Sequence, residues 1–140
     1  MEEQKYLTIL NAFGENNFQK TLGLTFTSLN LDELTCEADF IVKKELSQPM
    51  GLINGGASAG VMETVGSALT SLFVNFSVEY NLGLSLNVSH IKSAKIGEKL
   101  TAYAKIIHKG RKTHIIKIDI KNIENKLIST GTLTNMIISN

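Results

Sequence analysis

From Gly51 to Leu69 the chain reads Gly-Leu-Ile-Asn-Gly-Gly-Ala-Ser-Ala-Gly-Val-Met-Glu-Thr-Val-Gly-Ser-Ala-Leu, an apolar segment with a glycine pair near its start and a single acid inside it. Val61, Val65, Leu69 and Leu72 recur at spacings of three and four, which predicts a helix over roughly 55–76 with one face committed to a core. The first turn, Gly55-Gly56-Ala57, carries almost no side-chain bulk. Its backbone N–H groups therefore stand open to a ligand oxygen at the positive end of the helix. Glu63 lies about two turns further on, with Ser67 stacked beside it at i+4. A solvent-facing glutamate is the ordinary explanation for one acid in a helix. Here Glu63 is the only ionised residue between Glu45 and Glu79, and a carboxylate inside an apolar helix is costly unless something there needs it.

The totals limit what such a helix can belong to. A chain of 140 residues is one domain, 1–140, long enough to bury a real core. Its 43% hydrophobic content and mean hydropathy of +0.06 suit a protein that buries a helix deeply or hides surface in an oligomer. A net charge of +1 provides no field for nucleic acid or an anionic membrane. The longest apolar run, Leu69 to Val74, is broken by Thr70 and Ser71 and falls far short of the ~18 residues that read as a span. The acidic start, Met1-Glu2-Glu3, is unlike a secretory signal. A lone Cys36 excludes an internal disulfide and fits a cytoplasmic protein, with the thiol packed in a strand.

Residues 2 to 22 read as one or two short helices with Tyr6, Leu7, Leu10 and Phe13 on one face and a break at Gly14. Gly23 to Asn30 and Glu33 to Ile41 read as strands. In the second, Leu34, Cys36, Ala38 and Phe40 alternate with Thr35, Glu37 and Asp39. A loop holding the only proline, Pro49, leads to the central helix. Strands follow over Leu82–Ser93, Glu98–Lys109, Lys112–Asn122 and Leu127–Ile138, joined by turns every ~10 to 15 residues in the manner of an antiparallel meander. The class is α+β. A long helix with an apolar face among antiparallel strands must be wrapped by their sheet, which is the plan of the hotdog fold. Strands this long leave an edge that pairs readily with a second copy.

The segment Asn54-Gly-Gly…Glu63-Thr-Val-Gly-Ser67 resembles the hotdog acyl-CoA thioesterases of the PaaI-like family. The likeness is to the branch with a helix glutamate, which includes 4-hydroxybenzoyl-CoA and 1,4-dihydroxy-2-naphthoyl-CoA thioesterases. It continues through Ser89-His-Ile-Lys-Ser-Ala-Lys-Ile-Gly-Glu98 and the last strand at Gly131-Thr-Leu-Thr134. The resemblance implies that Glu63 is the catalytic carboxylate, attacking the thioester or activating water. It implies that the Gly55 N–H polarises the thioester carbonyl, that Gln48 supplies an amide beside it, and that Ser67 helps place the attacking group. It further implies a homodimer or homotetramer in which Glu63 of one subunit faces Gln48 and Gly55 of another. Relatives commonly carry His before the glycine pair. Asn54 stands there in this chain, and its amide cannot take up a proton near neutral pH.

Thioester hydrolysis suits this set. Fixed backbone donors meet the developing oxyanion without reorganising, where loss of one donor costs ~10²–10³ in kcat. A carboxylate base contributes ~10²–10⁴. His90, His108 and His114 have no mutual ligand spacing and no cysteine partner, so neither a metal centre nor a Ser-His-Asp site is expected, and no cofactor. Asn54, Gly56 and His90 are candidate substrate contacts. Lys92, together with Lys95, is expected to lie near the hairpin Lys109-Gly-Arg111-Lys112, where the group would hold nucleotide phosphates. A non-catalytic acyl-CoA-sensing module is the alternative, but it would call for a DNA-binding helical domain where only 22 residues precede the first strand. A hydratase would call for a His in the loop or central helix.

Overall fold

The computed structural model describes residues 2–140. Two short helices, α1 (Glu2–Phe13) and α2 (Phe18–Leu22), lead into the strands β1 (Thr25–Asn30) and β2 (Thr35–Ile41). A single 3₁₀ turn at Lys44–Leu46 and a tight loop precede the central helix α3 (Gly55–Ser71). Four long strands close the chain: β3 (Glu79–His90), β4 (Lys99–Lys109), β5 (Thr113–Asn122) and β6 (Leu127–Ser139).

All six strands form one antiparallel sheet in the order β1-β2-β4-β5-β6-β3. Strands β4, β5 and β6 make the expected meander, but β3 departs from it. The chain places β3 on the far side of β6, pairing Glu79 with Ser139 and His90 with Ser129. Helix α3 is thus covered by strands that are distant from it in sequence. Its Val61, Met62, Val65 and Leu69 are buried against Leu100, Ile116, Ile118, Ile120 and Leu133 in one core, as the three-and-four spacing requires.

Several boundaries differ from those read in the sequence. Helix α3 ends at Ser71, short of residue 76, and Leu72 is its half-buried cap. The Asn75 side chain accepts the Ser77 N–H at 3.1 Å while its carbonyl accepts those of Val78 and Glu79. This asparagine turn competes with further helix and starts β3 earlier than expected, at Glu79. Strand β1 begins at Thr25 because Gly23, at φ 72°, ends α2 in the left-handed conformation. On α1, Leu10 is buried and Tyr6 and Leu7 pack against the core, but Phe13 is exposed.

Candidate active site

The loop before α3 is held from both sides. Asn54 N–H donates to Leu46 O and Ile53 N–H to Ala94 O, each at 2.8 Å, and Gly51 turns the chain at φ 78°. This anchors the helix start and settles where its free N–H groups go. Asn54 is the N-cap, its Oδ1 accepting the Gly56 N–H at 2.7 Å. The N–H groups of Ala57 and Ser58 both reach the Asn54 carbonyl, at 2.9 and 3.3 Å. Among the described residues, Gly55 alone keeps an unbonded N–H in the first turn. The Asn54 position acts here as a cap acceptor, so Gly56 has no N–H left for a ligand.

A cavity of about 320 Å³ borders Gly55, lined also by Gln48, Ser58, His90, Lys92 and Ile128 among others. The Gln48 side-chain oxygen accepts the Met50 N–H, which leaves its NH₂ group as the end free to donate. The His90 ring stands close against Gly55, and a β-carbon on Gly55 would come 2.6 Å from Nε2. The Ser58 hydroxyl is buried with no protein partner among the described residues. Gln48, Gly55, His90 and Lys92 are therefore brought together in one chain.

Glu63 is not part of that cavity. It stands eight positions after Gly55, about 12 Å along the helix axis. Its half-buried carboxylate lies against the Cα of Gly83 on β3, and a β-carbon at that position would overlap it. It has no hydrogen-bond or ion-pair partner among the described residues. Ser67, one turn on, accepts a hydrogen bond from Asn135 Nδ2 at 2.8 Å. Asn135 is fully buried on β6 and pairs with Gly83 across the two strands. Glu63 and Ser67 on the helix thus face Gly83 and Asn135 on the sheet.

Lys109 and Arg111 do not join Lys92 and Lys95 within one chain. Lys92 N–H donates to Ile128 O at one end of β6, while Lys112 O accepts from Ile137 at the other. The nine steps of strand from Ile128 to Ile137 span about 30 Å at the rise of an extended strand. Lys109 instead sets its ammonium 4.4 Å from the centre of the Phe73 ring, just beyond the C-terminal end of α3. Cys36 is wholly buried, and burial pushes its thiol up to about 12, which removes it from nucleophilic chemistry. Among the described residues no group of three His, Cys, Asp or Glu side chains could hold a metal, and no helix is long and apolar enough to cross a membrane.

Sequence reading missed Gly83, Asn135 and Asn81. Gly83 carried a signal, since a glycine inside a strand marks close approach of another group. The two asparagines carried a weaker one, being amides within apolar strands, and only the pairing of β3 with β6 reveals what they do.

A family model described as Thioesterase superfamily matches residues 50–129, from the loop before α3 to the start of β6. The 1,4-dihydroxy-2-naphthoyl-CoA hydrolase of Escherichia coli is 32% identical over 132 residues, 94% of this chain and 94% of its own. The crystal structure of a variant of thioesterase PA1618 from Pseudomonas aeruginosa superposes with a TM-score of 0.90 at 33% identity, over 96% of this chain and 94% of that one. The Staphylococcus aureus protein SAV0944, solved as a glutamate-to-alanine variant, superposes with a TM-score of 0.83 at 31% identity, over 89% of this chain and 100% of that one. It has also been solved as a glutamine-to-alanine variant. With a matched family model, relatives at this identity over nearly the whole length, and the same six-stranded sheet around one helix, the chain belongs to the thioesterase superfamily, has the hotdog fold and is a thioester hydrolase.

Proposed function

We propose that the chain hydrolyses acyl-CoA thioesters of aryl or medium-chain acyl groups in the cytoplasm, at a site shared between two copies. The observation that carries this reading is the single unbonded N–H of the first helical turn among the described residues, at Gly55, a residue lining the same cavity as the free Gln48 amide. That pair polarises the thioester carbonyl and takes up the negative charge that develops on its oxygen. Glu63 attacks the carbonyl carbon, the CoA thiolate leaves, and water opens the resulting anhydride. In the second route Glu63 takes a proton from water, which attacks directly. Ser67 stands beside the carboxylate in both. A carboxylate held without a cation is the stronger nucleophile, and this favours direct attack.

Gly55 and Glu63 of one chain are too far apart to act on one carbonyl, so Glu63 comes from a second copy. The sheet has a surface suited to that copy. Among the described residues the outer edge of β3 has no neighbouring strand, and Leu82 and Leu84 on it, with Val78 just before it, are each more than half exposed. A long apolar edge of this kind is covered by pairing in a homodimer, or a homotetramer built from it. His90 and Lys92 border the acyl-CoA cavity, and Lys109 and Arg111 of a neighbouring copy are candidates for the nucleotide phosphates. The Staphylococcus aureus variants support the pairing of roles. The glutamine and glutamate replaced in that protein stand fifteen positions apart, the separation of Gln48 and Glu63. The name of the Escherichia coli relative favours an aryl acyl group.

A panel of aryl-CoA and fatty acyl-CoA thioesters, assayed by release of the CoA thiol, tests the substrate class. Alongside it, Glu63→Gln should lower kcat by ~10²–10⁴ with KM little changed. Retention of a tenth of the activity or more would overturn the role given to Glu63.

A further inference from the structure

Resting on the catalytic reading of Glu63, we propose that Asn135 and Asn81 are positioning residues that fix the Ser67 hydroxyl as a hydrogen-bond donor toward Glu63 or the water beside it. One group in this network has no choice of role. The backbone carbonyl of Ser67 can only accept, and it lies 3.1 Å from Asn81 Nδ2, so the Asn81 amide must present its NH₂ there. The same NH₂ donates to Asn135 Oδ1 at 2.7 Å. With its oxygen engaged, Asn135 presents its own NH₂ to Ser67 Oγ at 2.8 Å. Turning either amide over would bring two donors or two acceptors face to face inside the protein, with polar groups left unpaired.

The Ser67 oxygen is therefore an acceptor on its Asn135 side, and its proton must leave in another direction. Among the described residues no group accepts that proton. Glu63, one turn back on the same face, is the one carboxylate in α3 and the strongest acceptor a neighbouring turn offers to that proton. Asn135 is fully buried and Asn81 half-buried, so the direction is set where water does not compete. Neither asparagine touches the reacting atoms. Both act through the serine.

The experiment uses the panel substrate with the highest kcat/KM. Asn135→Asp replaces the donor NH₂ by an acceptor oxygen and turns the Ser67 proton inward. Asn81→Leu, at a half-buried position, removes the lock without placing a charge in the core, and so keeps the test open if Asn135→Asp does not fold. Each should lower kcat about tenfold, the value of one hydrogen bond to a charged group, while KM stays within about twofold. In a Ser67→Ala background neither substitution should lower kcat further, because the hydroxyl they direct is gone. A loss of the same size in both backgrounds would show a merely structural role and overturn the proposal, as would full kcat in both folded variants. Glu63→Gln measured in parallel separates the two levels. If it is active, the catalytic reading falls and this inference with it; if it is inactive while the asparagine variants keep full kcat, this inference alone falls.

Discussion

The Glu63 carboxylate rests on the bare Cα of Gly83, although nineteen residues of chain lie between them. The contact joins the central helix to the edge strand and leaves the acid no room on that side for any larger residue. It also explains why a glycine interrupts an otherwise side-chain-rich strand.

Gly83→Ala should therefore separate activity from stability. Gly83 lacks a left-handed backbone, and alanine is favoured over glycine in a strand by roughly 0.5–1 kcal/mol, so the urea midpoint should hold or rise slightly. The added carbon displaces the flexible Glu63 side chain. A displacement of about 1 Å costs on the order of 10²-fold in rate, and kcat should fall by that factor. Unchanged kcat would mean that Glu63 works from another position.

Asn54→Ala removes the acceptor of the Gly56 N–H at the start of α3. Loss of an N-cap of this type costs about 1 kcal/mol, to be read as a lower urea midpoint with unchanged slope. The same change frees a second N–H beside that of Gly55. Asn54 acts as a cap and touches no reacting atom, so kcat should change far less than for Glu63→Gln; a loss as large as that of Glu63→Gln would give Asn54 a part in the chemistry.

His114 makes stability depend on pH in one window. It is buried, with Nδ1 3.2 Å from Thr70 Oγ1. Burial, then the charges of Lys109 and His108, hold its pKa below the ordinary 6.5. The folded state thus favours the neutral ring, whereas the unfolded chain binds a proton near 6.5. Stability is fully present above that pH and is lost as pH falls from it toward the depressed folded value. Urea midpoints measured between about pH 7.5 and about pH 5.5 should decline for the native chain. His114→Gln should flatten the decline across that window. An equal decline in both would place the titrating group elsewhere.

Much of this architecture was legible in local pattern. The spacing of Val61, Val65 and Leu69 is a helix signal, and the alternation around Cys36 a strand signal. Both depend only on which side of a periodic backbone faces the core. The motif from Asn54 to Ser67 carried the family for the same reason, since a glycine-rich helix start and an acid two turns later are local features. The meander reading failed at β3, because period-2 alternation makes a strand without naming its neighbour. Helix α3 was overextended because the competing signal, the Asn75 turn, rests on one side chain's hydrogen bonds.

Local pattern thus establishes the set of elements, the apolar face of the central helix and the isolation of Glu63. These follow from steric period and from the cost of burying charge. Long-range packing is what lets Gly83 make room for the acid, sets Asn135 and Asn81 against Ser67, and puts Lys109 and Arg111 at the far end of the sheet from Lys92. Each of these depends on β3 crossing to the outside of β6. That choice belongs to the whole core, where the sheet must close over one helix, and no local stretch of residues encodes it.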